Sequence, residues 1–106
     1  NEGNYDQAIE DYSKAIEINP RFAIAYNNRG DAFHSKGNYD QAIKDYSKAI
    51  EIDPRLAVAY YNRGLTYLFI EKYEEAWDDV YKAQNLGYKV HPRVLKDLRE
   101  ASGRQE

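Results

Sequence analysis

Cysteine and methionine are both missing from this chain of 106 residues. With no thiol there is no disulfide framework, no thiolate metal site and no cysteine nucleophile, and the redox compartment is left undetermined. Long apolar runs are missing too: nothing approaches the roughly 20 residues that cross a bilayer, and no charged-then-apolar signal segment opens the chain. The chain therefore reads as soluble, with the cytoplasm as default location and no membrane partner. The absence of an initiator methionine suggests a fragment or a processed product. Charge of one sign is lacking as well, since 15 basic and 18 acidic residues are interspersed for a net charge of -3. Nucleic acid recognition calls for a clustered basic face, so nucleic acid is not an expected partner. No glycine-rich phosphate loop is present. His34 and His91 stand far apart without a ligand motif, so neither a metal nor another cofactor is expected. Glu74, Glu75, Asp78 and Asp79 fall at helical spacing, which a solvated helix face explains, and no Ser-His-Asp set is supported. The expectation is a non-enzyme.

What the chain does have is a copy of itself. Residues 3–20 return 34 positions later as residues 37–54, changed only from Glu10 to Lys44 and from Asn19 to Asp53. Self-similarity at such a period signals stacked supersecondary units, each burying its apolar face against the next. With 42% hydrophobic residues the chain can build a continuous core as one domain. Within the copied block Tyr5, Ala8, Ile9, Tyr12, Ala15 and Ile16 recur at three- and four-residue intervals and define one helical stripe. Asp11, Lys14 and Glu17 lie opposite, where unlike charges neighbour each other in water. Asn19-Pro20 and Asp53-Pro54 end these helices, because the residue before proline is pushed out of the α region. Gly37-Asn38 closes the intervening helix, glycine taking the left-handed cap position. The matching pair further on is Glu71-Lys72, so that turn must be built differently or carry strain. Strand signals are absent, and the spacing predicts six helices near 4–18, 22–36, 39–52, 56–70, 73–85 and 92–101.

At fixed places in the period stand Tyr26, Arg29-Gly30, Phe33, Ala42, Tyr46, Ala49 and Pro54, then Tyr60, Arg63-Gly64, Tyr67, Ala76, Val80 and Ala83. Residues 1 to about 88 thereby resemble tetratricopeptide repeats, although the family usually has leucine where Arg29 and Arg63 stand. Those arginines are expected to lay their methylene stems along the helix interface with the charge in water. The resemblance implies an all-α, right-handed solenoid of antiparallel helix pairs. Residues 1–20 form the second half of a repeat, 21–54 and 55–88 two full repeats, and 89–106 a capping helix with a frayed tail. Small Gly30, Gly64, Ala42 and Ala76 permit close helix crossings, and most of the eleven tyrosines are core residues at repeat positions.

The implied function is capture of an extended or helical peptide on a concave surface lined by the first helix of each repeat. The groove positions are Ile24, Asn27, Asn28, Asp31, His34 and Ser35 from one helix, and Val58, Tyr61, Asn62, Leu65, Leu68 and Phe69 from the next. Asn28 and Asn62 are the best contact candidates, since an amide can pair with a peptide backbone whatever its side chains; the bland alternative is that they only bridge neighbouring helices. Tyr61 is directed into the groove, beside the core residue Tyr60. Similar repeats that clamp the terminal carboxylates of heat-shock chaperones place lysine and arginine where this chain has Val58 and Asn62. The remaining clamp positions belong to a helix outside this sequence or, in the other register, fall on Asn27 and Asp31. An acidic terminus is therefore not the expected ligand, and a neutral or basic segment is. Val90, Val94, Leu95, Leu98 and Ala101 give the capping helix, which should cover the last repeat and approach Leu65, Leu68 and Phe69. At the other end the chain opens on a repeat's second helix, so part of the Tyr5, Ile9, Tyr12 and Ile16 stripe stays uncovered. Self-association or helix exchange through these four residues, giving a homo-oligomeric scaffold, is the alternative function.

Overall fold

A computed structural model describes residues 2–103, with the side chain of Glu2 left out. Its helices are α1 (Glu2–Ile18), α2 (Ala23–Ser35), α3 (Tyr39–Ile52), α4 (Ala57–Phe69), α5 (Tyr73–Asn85) and α6 (Pro92–Ser102). Among the described residues there is no strand, and no helix is long and apolar enough to cross a membrane. The six expected helices are all present, with ends within about two residues of those read from the spacing.

Local chemistry sets the turns. Asn19 and Asp53 each accept a hydrogen bond at Oδ1 from the backbone N–H two residues on, at 3.2 Å from Arg21 and 3.1 Å from Arg55. These Asx-type turns release the chain from α1 and α3 just before a proline that cannot continue a helix. The turns ending α2 and α4 share one pattern. Gly37 N–H donates to His34 C=O at 2.9 Å and Asn38 N–H to Phe33 C=O at 2.8 Å; Glu71 and Lys72 repeat this onto Leu68 and Tyr67 at 3.1 and 2.8 Å. Gly37 has φ 85° and Glu71 has φ 65°. Of the two expectations for Glu71-Lys72, strain is the one realised: the turn is built the same way, with a glutamate in a left-handed conformation that costs about 1–2 kcal/mol.

Each antiparallel pair, α2 with α3 and α4 with α5, closes where a glycine lets the backbones approach. A Cβ on Gly30 would come within 2.8 Å of the Tyr46 ring and 3.2 Å of the Ala42 carbonyl; one on Gly64 would meet Asp79 Cβ at 3.1 Å and the Ala76 carbonyl at 3.3 Å. Around these crossings Ala42, Tyr46, Ala49, Ala76, Trp77, Val80 and Ala83 are buried. Helix α2 also touches α4 directly, through Asn27 with Asn62 and His34 with Thr66. The two helices thus lie side by side on one face of the stack, the face that the repeat resemblance makes the inner one. At the far end α6 packs Leu98, with Val94 and Leu95 beside it, against Ala76, Trp77 and Val80. Trp77 Nε1 donates to Ser102 Oγ at 2.9 Å, and that hydroxyl donates to the Leu98 carbonyl.

Two expectations about charge are corrected. Arg29 and Arg63 do not carry their charge into water: each makes a two-pronged ion pair across its helix pair, Arg29 to Asp45 at 2.8 and 2.8 Å and Arg63 to Asp79 at 2.7 and 2.8 Å. Asp79 accordingly leaves the solvated face assigned to it; it is 5% exposed, and Asp45 is 2% exposed. The arginines also reach backward, donating from Nη1 to Ser13 at 3.1 Å and to Ser47 at 3.0 Å. Tyr26 and Phe33 flank the Arg29 guanidinium, as Tyr60 and Tyr67 flank that of Arg63. Hydrogen bonding to its aspartate raises each arginine's pKa against the opposing effect of burial, and desolvation raises that of Asp79 despite Arg63. A planar fork matching a carboxylate explains why arginine, with five fixed donors, stands at this point.

Candidate functional site

The inner face is built from α2 and α4, and a chain of three amides joins them. Asn62 Nδ2 on α4 donates to Asn27 Oδ1 on α2 at 3.2 Å, and Asn27 Nδ2 donates to Asn28 Oδ1 at 3.2 Å. Asn27, at 2% exposed, is the buried middle link; Asn28 and Asn62 are half-buried ends. The chain has a direction. Its bonds use one of the two amide protons of Asn62 and one lone pair of the Asn28 oxygen, so outside them the Asn62 end keeps its whole carbonyl oxygen with one N–H, and the Asn28 end its whole NH2 with one lone pair.

One turn along, His34 Nδ1 lies 2.9 Å from Thr66 Oγ1, and the Thr66 hydroxyl donates to the Asn62 carbonyl at 3.0 Å. The direction of the His34–Thr66 bond follows the imidazole tautomer. Desolvation lowers the pKa of His34, partly offset by Asp31. Tyr46 O–H donates to Asp31 Oδ1 at 2.6 Å, and burial with this bond pushes the phenol well above its usual range. His34, Tyr39 and Phe69 form an aromatic cluster with ring centroids 5.1–5.6 Å apart, and Phe69 stays 63% exposed.

Of the expected groove residues, these bonds join Asn27, Asn28 and Asn62 and tie His34 to α4 through Thr66, but not all of the expected residues stand open. Asn27 is a support beneath its neighbours. Tyr61, expected to point into the groove, stacks on Tyr88 with centroids 4.5 Å apart. Ile24 is exposed, while Val58 and Leu65 are half-buried. Of the residues assigned to contact with the cap, Leu68 joins the α5–α6 cluster, whereas Phe69 turns to His34 and Tyr39. Sequence reasoning missed Thr66, Tyr39 and Tyr88. The one available signal was Tyr88 standing where the repeat pattern has proline.

The comparisons with known proteins fit this geometry. A family model described as TPR repeat matches residues 1–37 and 30–68, and one described as Tetratricopeptide repeat matches 57–86. The chain belongs to the tetratricopeptide repeat family. Among solved TPR structures, the first TPR of Spaghetti (RPAP3) bound to the HSP90 peptide SRMEEVD is similar with a TM-score of 0.86 and 27% identity, over 95% of this chain and 79% of that one. The TPR2B domain of yeast Sti1 in its pHsp70 complex is similar with a TM-score of 0.83 and 25% identity, over 98% and 86%. YrrB, a TPR protein with an unusual peptide-binding site, gives 0.79 and 34% over 88% of this chain and 47% of its own. A search of curated proteins finds no match.

Proposed function

We propose that this TPR chain is a non-catalytic interaction module that holds a peptide segment against α2 and α4, with Asn28 and Asn62 pairing to the peptide backbone. The observation that carries this reading is the directional amide chain. Its unused NH2 at Asn28 and carbonyl oxygen at Asn62 match the C=O and N–H of an extended segment, and Asn27 fixes both rotamers in advance. Preorganised amides lose little side-chain entropy on binding. Structural neighbours that hold HSP90 and Hsp70 peptides support peptide capture as the activity of this fold.

The ligand differs from theirs in charge. Helices α2 and α4 carry two arginines and no lysine, and both arginines are occupied by Asp45 and Asp79. No cation is left over on these helices to offset the desolvation of an acidic terminus, while Asp31, Val58 and Leu65 suit a neutral or basic segment. Selection from a peptide display library should yield neutral or basic sequences, and labelled SRMEEVD should show no saturable binding. Asn28→Ala with Asn62→Ala should abolish capture of the selected peptides while leaving the solution mass unchanged. Retained capture by the double variant, or tight SRMEEVD binding, would sink this reading.

A further inference from the structure

The two full repeats build the same helix crossing, but the first carries polar groups where the second carries apolar ones. Asp31, His34 and Tyr46 stand 34 residues before Leu65, Leu68 and Val80. Closing α4 on α5 needs no carboxylate at this place, so Asp31 is a departure that packing does not call for. Tyr46 O–H donates to Asp31 Oδ1 at 2.6 Å and so fixes the carboxylate. Among the described residues no cation pairs with Asp31, although Asp45 and Asp79 each hold a guanidinium. His34, one turn along α2, is close enough for its charge and that of Asp31 to interact, but desolvation keeps the imidazole mostly neutral at pH 7. Phe69 lies against His34 with ring centroids 5.6 Å apart and stays 63% exposed, at the position where the first repeat has Ser35.

We infer that Asp31 and Phe69 form a subsite for an arginine side chain of the peptide held by α2 and α4, its guanidinium pairing with the Asp31 carboxylate while its stem and flat face lie on Phe69. The subsite rests on the peptide-capture reading and narrows the ligand from a neutral or basic segment to one with arginine at a defined place. The chain shows twice which residue types hold a guanidinium. Arg29 forks onto Asp45 with the Tyr26 and Phe33 rings 5.4 and 6.0 Å away, and Arg63 onto Asp79 with Tyr60 and Tyr67 at 5.8 and 5.9 Å. Asp31 has the same surroundings, a carboxylate beside aromatic rings, without the cation. Lysine fits less well, because a compact ammonium has no flat face to lay on a ring. Asp31 is one turn from Asn28, about 4.5 Å along the helix, and an extended segment advances about 3.3 Å per residue. The arginine therefore falls within two residues of the one paired to the amides.

The probe is a display library of random linear peptides, selected on the full chain and on its Asp31→Asn variant. Sequences selected on the parent should share an arginine at one position, and those selected on Asp31→Asn should not. In a peptide selected on the parent, replacing that arginine by citrulline, which keeps the shape and loses the charge, should weaken binding about tenfold on the parent and less than about twofold on Asp31→Asn. Phe69→Ser, which installs the residue of the other repeat, should reduce the preference for arginine over citrulline about threefold. Loss of the Tyr46 bond alone does not move this comparison, because both peptides meet the same variant. Peptides captured through Asn28 and Asn62 with no shared arginine, or an arginine preference that survives Asp31→Asn and Phe69→Ser, would overturn the subsite and leave peptide capture standing. A library that yields no binder to the parent would overturn both.

Discussion

Helices α1 and α3 come from blocks that differ at two of eighteen positions, yet they live in different surroundings. Tyr46 is 1% exposed and its hydroxyl is bound to Asp31, whereas Tyr12 is half-buried. Asp45 lies under the Arg29 fork, whereas Asp11 faces solvent. The lesson is that burial in a stacked repeat is conferred by the neighbour. A sequence stripe states only what a helix offers, and α1 and α3 offer nearly the same thing.

The sharpest way to break the comparison is truncation at the matched tyrosines. Tyr46→Ala should cost about 3–5 kcal/mol by denaturant unfolding, the range for losing a buried aromatic side chain, and Tyr12→Ala about 1 kcal/mol; equal costs would mean that the two helices are covered alike. Next come the aspartates. Asp45→Asn leaves the partly exposed Arg29 facing a neutral amide and should cost about 2 kcal/mol, while Asp11→Asn should change stability by less than about 0.5 kcal/mol.

A smaller difference separates the turns after α2 and α4. Glu71→Gly should relieve its left-handed strain and stabilise by about 1 kcal/mol, and Gly37→Glu should lose a similar amount. Smallest is the pH response of the inner face. Because folding lowers the His34 pKa below its ordinary 6.5, the unfolded chain binds the proton more readily, and stability should fall as pH drops below about 6.5. His34→Gln should flatten that part of the pH–stability profile measured by urea unfolding; an unchanged slope would place its origin elsewhere.

The helices were legible because proline, glycine and the three-to-four spacing act over short distances. The family pattern was legible because so many positions agree at one period. The fate of Arg29 and Arg63 was not. A snorkelling arginine and a forked one look alike in sequence, and the deciding partners, Asp45 and Asp79, lie 16 residues away on the next helix. Asp79 was hidden for the same reason, standing among Glu74, Glu75 and Asp78 as if all four faced water. In the groove the residue types were correct but the depths were not visible: Asn27 and Asn28 are adjacent letters, one buried and one half-open. Tyr61 could not be assigned to Tyr88 because the stacking depends on how the chain leaves α5.

Each arginine grips two successive layers at once, Arg29 taking Ser13 on one side and Asp45 on the other. The two grips are unequal. The bond to serine involves a single neutral acceptor, while the fork onto aspartate is a largely buried ion pair, so the layers part first at the serine side. Parting α1 from α2 breaks the serine bond and the largely exposed Lys36–Asp6 pair but leaves the Arg29–Asp45 fork intact, and amide exchange should run ahead in α1 while α2 and α3 still protect each other. The stack should open as a zipper does, layer by layer at the serine bonds and not at the forks.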